Sequence, residues 1–83
     1  MKLLYFAWVR EKVGRAAEEI ELPAGITTVS DLVGWLRSRA PEYDEAFARP
    51  ELVRAAVDKV HVKPSATVAG AREIAFFPPV TGG

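Results

Sequence analysis

The sequence ends in Gly82 and Gly83, and these two residues are the ones best suited to chemistry. Glycine has no Cβ, so a Gly-Gly segment can adopt backbone conformations closed to other residues and can pass through a channel too narrow for side chains. We expect the α-carboxylate of Gly83 to be the reactive group, because another enzyme can activate a carboxylate and load it as an acyl group. The alternative is an ordinary frayed end, since many chains finish in small residues.

An apolar run at residues 76–81 precedes the two glycines and favours a functional tail. Disordered ends are seldom built from adjacent aromatic residues and prolines. The two prolines of this run fix two φ angles and favour a stiff, extended path, which lowers the entropy lost when a tail is bound. We therefore predict an extended tail over residues 78–83 that enters a partner's site. The predicted tail contacts are Pro78, Pro79, Val80 and Thr81.

Other reactive side chains do not form a recognisable active site. His61 is the only histidine and the chain has no cysteine, so no metal site is predicted and no triad-like arrangement is present. We expect His61 to lie at the surface or at an interface. The acidic groups within residues 18–21 and 42–45 are interpreted as solvated faces. Any sulfur that this protein handles must be carried by something other than a thiol side chain.

The composition predicts one small domain over residues 1–83. Apolar residues make up 49% of the chain, as in globular proteins, and eleven basic residues balance eleven acidic ones. Without a net positive charge, neither nucleic acid nor an anionic membrane is an expected partner. No apolar stretch approaches the roughly 20 residues that cross a bilayer. We expect a cytoplasmic protein.

Hydrophobic patterns predict the elements that carry the tail. Residues 2–9 read as a first strand, Gly14 as a turn, and residues 18–22 as a second strand paired with the first. Thr28 and Asp31 resemble a capping box at the start of the one clear helix, which Pro41 ends. The remaining predicted elements are a loop or short helix over 41–50 pinned by Tyr43 and Phe47, strands at 52–57, 60–62 and 73–77, and a turn at 58–59. The apolar stripe of the helix consists of Val29, Leu32, Val33 and Leu36, and Trp35 widens it.

This order, β-β-α-β-(β)-β, predicts an α+β fold in which a mixed sheet packs on one main helix. With the last strand near the centre of the sheet, the arrangement is a β-grasp, as in ubiquitin. If the helix covers Ile74 and Phe76, alternation directs Phe77 outward. Phe77 and Phe6 then form an exposed apolar patch, which is typical of a partner surface. The alternative is that the segment 41–50 covers Phe77.

Three segments resemble one known family. They are residues 3–11 (LLYFAWVRE), residues 56–58 (AVD) and above all residues 75–83 (AFFPPVTGG). Together they resemble the small subunit of molybdopterin synthase, the ubiquitin-like sulfur carrier of molybdenum-cofactor biosynthesis. The resemblance spans the whole chain, although Asp58 stands where the family commonly has Asn.

The resemblance implies a mechanism. An adenylating enzyme related to ubiquitin activators uses ATP and Mg²⁺ to form an acyl-adenylate at Gly83, and a persulfide donor then supplies the sulfur of a thiocarboxylate. The tail enters the large catalytic subunit and gives its sulfur to cyclic pyranopterin monophosphate, in a heterotetramer of two large and two small subunits. This chain donates sulfur but binds no cofactor, and the large subunit supplies the catalytic groups. Gly82 is the steric requirement of the tail. The implied docking set is Phe6, Arg10, His61, Phe77, Pro78, Pro79, Val80 and Thr81.

Two other functions use the same activated carboxylate. A ubiquitin-like protein modifier would join Gly83 to lysines of target proteins, and a sulfur carrier of another pathway, such as thiamine synthesis, would load Gly83 in the same way. The third alternative is a plain binding domain with a frayed end.

Overall fold

The computed structural model describes residues 1–79, which form a five-stranded mixed sheet with helices on one face. The strand order is β2-β1-β5-β3-β4. The elements are β1 (Lys2–Tyr5), α1 (Ala7–Val13), β2 (Ala17–Glu19), α2 (Val29–Arg39), α3 (Pro41–Ala46), a 3₁₀ turn (Pro50–Leu52), β3 (Arg54–Val57), β4 (Val60–Val62) and β5 (Glu73–Phe77). Strand β5 is central, parallel to β1 and antiparallel to β3, as the β-grasp prediction requires.

The main helix α2 forms as the sequence predicts. Thr28 and Asp31 make the capping box, because the Thr28 hydroxyl accepts a hydrogen bond from the Asp31 N–H at 3.1 Å and the Asp31 carboxylate accepts one from the Thr28 N–H at 3.1 Å. Leu32 and Leu36 are buried on the face that meets the sheet. The segment after Pro41 is the short helix α3 rather than a loop.

The prediction of one strand over residues 2–9 is wrong. Strand β1 ends at Tyr5, and Ala7 takes a left-handed φ of 52° that turns the chain into α1. Val9 and Val13 are the buried residues of this helix, one turn apart, and Gly14 caps it with a φ of 89°. A short, wholly apolar run fits a strand period and a helix period equally well, so the sequence pattern did not separate the two.

Two further strands are shorter than predicted. Strand β2 stops at Glu19, although Ile20 still donates its N–H to the carbonyl of Met1 at 2.9 Å. The strand predicted over 52–57 begins at Arg54, because Pro50 opens a 3₁₀ turn that runs to Leu52. Proline suits the first position of such a turn, since its φ is already near the helical value.

Aromatic rings fill the centre of the core between sheet and helices. The rings of Tyr5 and Phe76, neighbours on β1 and β5, stack 6.1 Å apart with an angle of 15° between planes. Phe47, which follows α3, meets Phe76 edge-on at 5.1 Å. All three side chains are essentially inaccessible to water. Phe76 therefore fixes the end of the last strand in the core.

The interpretation of residues 18–21 as a solvated acidic face is wrong for Glu18, whose side chain is only 6% exposed. Its backbone pairs with Leu3, so its side chain lies in an inward-facing row of the sheet. The carboxylate accepts hydrogen bonds from the hydroxyls of Tyr5 at 2.8 Å and Tyr43 at 2.6 Å, and from Arg39 at 3.0 Å. One carboxylate therefore joins β1, β2, α2 and α3.

Burial and hydrogen bonding shift the pKa of the Glu18 carboxyl in opposite directions. Burial raises the pKa of this carboxyl, but the hydrogen bonds from Tyr43, Tyr5 and Arg39 outweigh it, so its pKa lies below the ordinary 4.5. A carboxyl with a depressed pKa contributes stability above its unfolded-state pKa and loses it as the pH falls through the folded-state value.

The substitution Glu18→Gln tests this contribution. We expect it to lower the free energy of unfolding by about 2–3 kcal/mol at pH 7, because it removes a charged acceptor from three hydrogen bonds. Urea unfolding between pH 3 and pH 7 measures the difference in the free energy of unfolding between the wild type and the variant. This difference should become smaller below about pH 4.5, because the wild-type carboxyl is then protonated. Glu21→Gln, at an exposed position, is the control and should change little. A difference that stays constant with pH would contradict the assignment.

The turn between β3 and β4 gives a second prediction about stability. Asp58 and Lys59 have φ values of 47° and 72°, so both central residues of this two-residue hairpin are left-handed. Such turns favour glycine at the second position. We expect Lys59→Gly to raise the free energy of unfolding by about 0.5–1 kcal/mol in urea titrations. Lys63→Gly, just after β4 and without a positive φ, is the control and should lower the free energy of unfolding. Equal changes at both positions would contradict backbone strain at Lys59.

Candidate docking face and tail

The face of the sheet opposite the helices forms the candidate site. A row of cross-strand neighbours runs over it from Leu4 on β1 through Ala75 and Ala56 to His61 on β4. None of these four residues belongs to the core cluster that the helices cover, although Ala56 and Ala75 are themselves only 6% and 9% exposed. The two alanines carry small side chains in the middle of the row, so this face is shallow and its larger side chains stand at the edges.

Phe77 lies on this open face, as alternation predicts. Its neighbour Phe76 is fully buried on the helix side, whereas Phe77 is half-buried and its ring centroid is 5.0 Å from that of His61. The segment 41–50 does not cover Phe77, because Phe47 packs against Phe76 on the opposite side of the sheet. His61, which was expected at the surface or at an interface, is exposed and lies beside Phe77 on this face.

Phe6 and Arg10 lie at the same end of the sheet as Phe77. The N–H of Phe6 donates to the carbonyl of Phe76 at 3.0 Å, so Phe6 sits beside the end of β5 although it is not in a strand. Its side chain is 46% exposed, which is high for phenylalanine. Arg10 follows one helical turn later, donates its backbone N–H to the carbonyl of Phe6, and is exposed.

Arg54 is the residue at this site that sequence reasoning missed. It pairs directly with Phe77 across β3 and β5 and is exposed. Strand alternation places it on the open face only once its partner strand is known, and the pairing of β3 with β5 cannot be read from the sequence. The docking face, as defined here, consists of Leu4, Phe6, Arg10, Arg54, Ala56, His61, Ala75 and Phe77.

The first two residues of the tail follow the end of β5. Pro78 and Pro79 are half-buried and follow directly on β5, which is held by strand pairing on both sides. The predicted contacts Val80 and Thr81 and the predicted reactive pair Gly82 and Gly83 lie outside the described residues. Among residues 1–79, no group of three or more His, Cys, Asp or Glu side chains is placed to hold a metal ion. No helix in that part of the chain is both long and apolar enough to span a membrane.

The arrangement suits recognition by another protein. Two aromatic side chains, Phe6 and Phe77, flank the root of the tail, and the cations Arg10 and Arg54 lie at the same end. Exposed aromatic rings beside arginine are the side chains that most often dominate binding energy at protein interfaces. A partner bound here would also determine where the tail goes, because the tail begins at Pro78, directly after the contact residue Phe77.

Comparison with known proteins identifies relatives along the full chain. The ThiS family model matches residues 3–83. The chain is 37% identical over 83 residues to the molybdopterin synthase sulfur carrier subunit of Escherichia coli (strain K12), with 100% of this chain and 99% of that protein covered.

Solved structures agree on the fold. A putative molybdopterin converting factor subunit 1 from Pyrococcus furiosus has a TM-score of 0.74 and 31% identity, over 95% of both chains. The small archaeal modifier protein 1 of Haloferax volcanii has a TM-score of 0.71 and 26% identity, over 96% of this chain and 97% of that one. The predicted β-grasp fold and the predicted resemblance are both confirmed. This chain belongs to the ThiS family.

Proposed function

We propose that this chain is the sulfur-carrier subunit of a molybdopterin synthase and that Gly83 carries the sulfur as a thiocarboxylate. The observation that carries the proposal is the full-length identity of 37% to a molybdopterin synthase sulfur carrier subunit. The geometry supports it, because Pro78 and Pro79 follow directly on β5, next to the half-buried Phe77 and the exposed Phe6.

Loading begins with adenylation of the tail. The Gly83 carboxylate attacks the α-phosphate of ATP on a ubiquitin-activating-type enzyme, and Mg-bound pyrophosphate leaves. The acyl-adenylate that results has AMP as a good leaving group, which a plain carboxylate lacks. The terminal sulfur of a donor's persulfide then attacks the acyl carbon and displaces AMP. A second thiol of the donor attacks the acyl disulfide, so the donor is oxidised to a disulfide and the Gly83 thiocarboxylate is released.

Transfer takes place on a second partner, the large catalytic subunit. There the thiocarboxylate sulfur attacks a carbon of cyclic pyranopterin monophosphate and displaces an oxygen substituent. Water then cleaves the bond between the sulfur and the Gly83 acyl carbon, so the sulfur stays on the pterin and Gly83 leaves as a carboxylate. Two such transfers build the dithiolene of molybdopterin. The tip Gly82-Gly83 carries no side chain, so it fits a confined site beside the substrate. The large subunit supplies the acid and base groups, and the complex is a heterotetramer. The docking residues on this chain are Phe6, Arg10, His61, Phe77, Pro78, Pro79, Val80 and Thr81, to which the open face adds Arg54.

A second candidate function is a protein modifier joined to lysines through Gly83. The likeness to the small archaeal modifier protein 1 of Haloferax volcanii, at 26% identity, favours it. Both functions need the same acyl-adenylate, and they differ in the nucleophile that displaces AMP, a persulfide sulfur in one and a lysine amine in the other.

Mass spectrometry distinguishes the two functions. The chain is co-expressed with its activating enzyme and a persulfide donor, and the intact mass is measured. We expect a gain of about 16 Da located on Gly83, because one carboxylate oxygen is replaced by sulfur. A variant lacking Gly82-Gly83 should show no gain while remaining folded by circular dichroism. Lysine-linked adducts without the sulfur species would favour the modifier and overturn the proposal.

Substitutions on the docking face test the partner contact. We expect Phe77→Ser and Phe6→Ser each to weaken binding to the large subunit at least tenfold in calorimetric titrations, because exposed aromatic anchors dominate such interfaces. Val60→Ser is the matched control, since Val60 is also an exposed apolar residue, at 63%, but pairs with Val57 and so lies on the other side of the sheet from its neighbour His61. If Val60→Ser weakens binding as strongly as Phe77→Ser, the docking face is wrongly assigned.

A further inference from the structure

A cavity of about 420 Å³ lies on the helix side of the sheet, away from the docking face. It opens between α2 and strands β3 and β4, and the buried rings of Phe47 and Phe76 line it together with Val29 and Ala55. Its volume falls within the range of pockets that bind ligands, and its lining is mostly apolar, as in such pockets. None of the sulfur chemistry proposed above uses it.

Gly34 leaves the backbone of α2 bare at this cavity. It lies in the middle of the helix, is exposed, and lines the cavity. A Cβ built there would meet nothing within 4 Å, so no packing within the described residues requires glycine. Glycine is the poorest helix former after proline. A bare backbone at an apolar cavity is suited to close approach by a group from another molecule.

The charged residues that line the cavity are three cations and one carboxylate. They are Arg37, Lys63 and Glu51, together with Arg54, which opens β3 and is also part of the docking face. Arg37 also donates from Nε to Asp44 at 2.8 Å. The chain as a whole has no net charge, so this local excess of positive charge sets the cavity apart from the average surface. An apolar interior with a positive surround complements an apolar group flanked by negative charges.

The surroundings favour a polypeptide over a small molecule as the occupant. Leu52, which lies between the lining residues Glu51 and Val53 in the chain, exposes 38% of its surface near the cavity. A small amphipathic acid would fill the cavity and leave Leu52 in water, whereas a peptide that crosses the opening covers both. Contiguous apolar surface rimmed by polar residues is typical of protein contacts.

We propose that this cavity is a second docking site, which binds a partner polypeptide through one apolar side chain flanked by acidic residues. The two sites lie on opposite sides of the sheet. On β3, Ala55 lines the cavity and its neighbour Ala56 belongs to the docking face. A partner at the cavity therefore leaves the docking face, apart from the shared Arg54, and the tail accessible to a second protein. The inference does not depend on the sulfur chemistry.

Titration of the ¹⁵N-labelled full chain with the peptide acetyl-Glu-Glu-Leu-Glu-Glu-amide tests the proposal by NMR. We expect saturable shifts of the amide resonances of Val33, Ala55 and Val62, which line the cavity, at millimolar peptide or below. The peptide acetyl-Lys-Lys-Leu-Lys-Lys-amide should give none. Three results would each overturn the proposal: no shifts with the acidic peptide, shifts confined to the docking face, or saturable binding of octanoate at the cavity without binding of the peptide.

Two pairs of variants locate the contact. Gly34→Leu places a side chain at the cavity and should abolish the peptide shifts without loss of thermal stability, because leucine favours a helix. Its control, Ser38→Leu, adds the same side chain to α2 at a position that does not line the cavity, and should bind the peptide normally. Lys63→Glu should weaken binding about fivefold. Lys59→Glu, at the other end of β4, should not, and an equal effect of both lysine variants would contradict a local charge contact.

Discussion

Strand β5 holds the rest of the structure together because it lies in the middle of the sheet. It is also the last of the five strands along the chain. It pairs with β1 in parallel and with β3 in antiparallel, and its residues Ile74 and Phe76 are fully buried. The two halves of the sheet are therefore joined only when residues near the end of the chain are in place. Pairings between distant segments are slow to form, since loop entropy is lost before the contacts are gained.

Glu18 forms the second constraint, and it is an electrostatic one. The two tyrosine hydroxyls and Arg39 converge on its carboxylate, while the Arg39 guanidinium also lies 4.9 Å from the Trp35 ring and 4.8 Å from the Tyr43 ring. An almost buried charge is tolerable only when its hydrogen bonds are satisfied. Here the partners come from different helices and strands, so the charge specifies how the helices sit on the sheet.

The sequence predicted the elements that carry strong local signals and missed those set by distant contacts. The capping box at Thr28 located α2, and the alternation of Phe76 and Phe77 assigned one ring to the core and the other to the surface. The helix α1 was missed because residues 3–9 are apolar throughout. Glu18 and Arg54 were missed because their environments depend on pairing with Leu3 and Phe77 across the sheet. Such register is decided by the whole fold and leaves no local pattern.

The cavity beside Gly34 is another feature that depends on contacts between distant segments and could not be predicted from local sequence. It arises where α2 does not fill the space over β3 and β4, and no single residue of its lining predicts it. What the sequence did contain was a glycine in the middle of an otherwise regular helix. Taken together with the open face of the sheet, the cavity gives this small chain two surfaces that face in different directions.

Because the tail follows Phe77 directly, its length limits how far Gly83 can reach from the Phe77 contact. Six residues separate the Phe77 contact from the end of Gly83, and a fully extended segment of that length spans at most about 20 Å. Any reacting centre that Gly83 serves must lie within that radius of the surface that receives Phe77. The register of β5 therefore sets this distance. A slip of one residue would exchange the fully buried and the half-buried phenylalanine and shift the reach of the tail by about 3.3 Å.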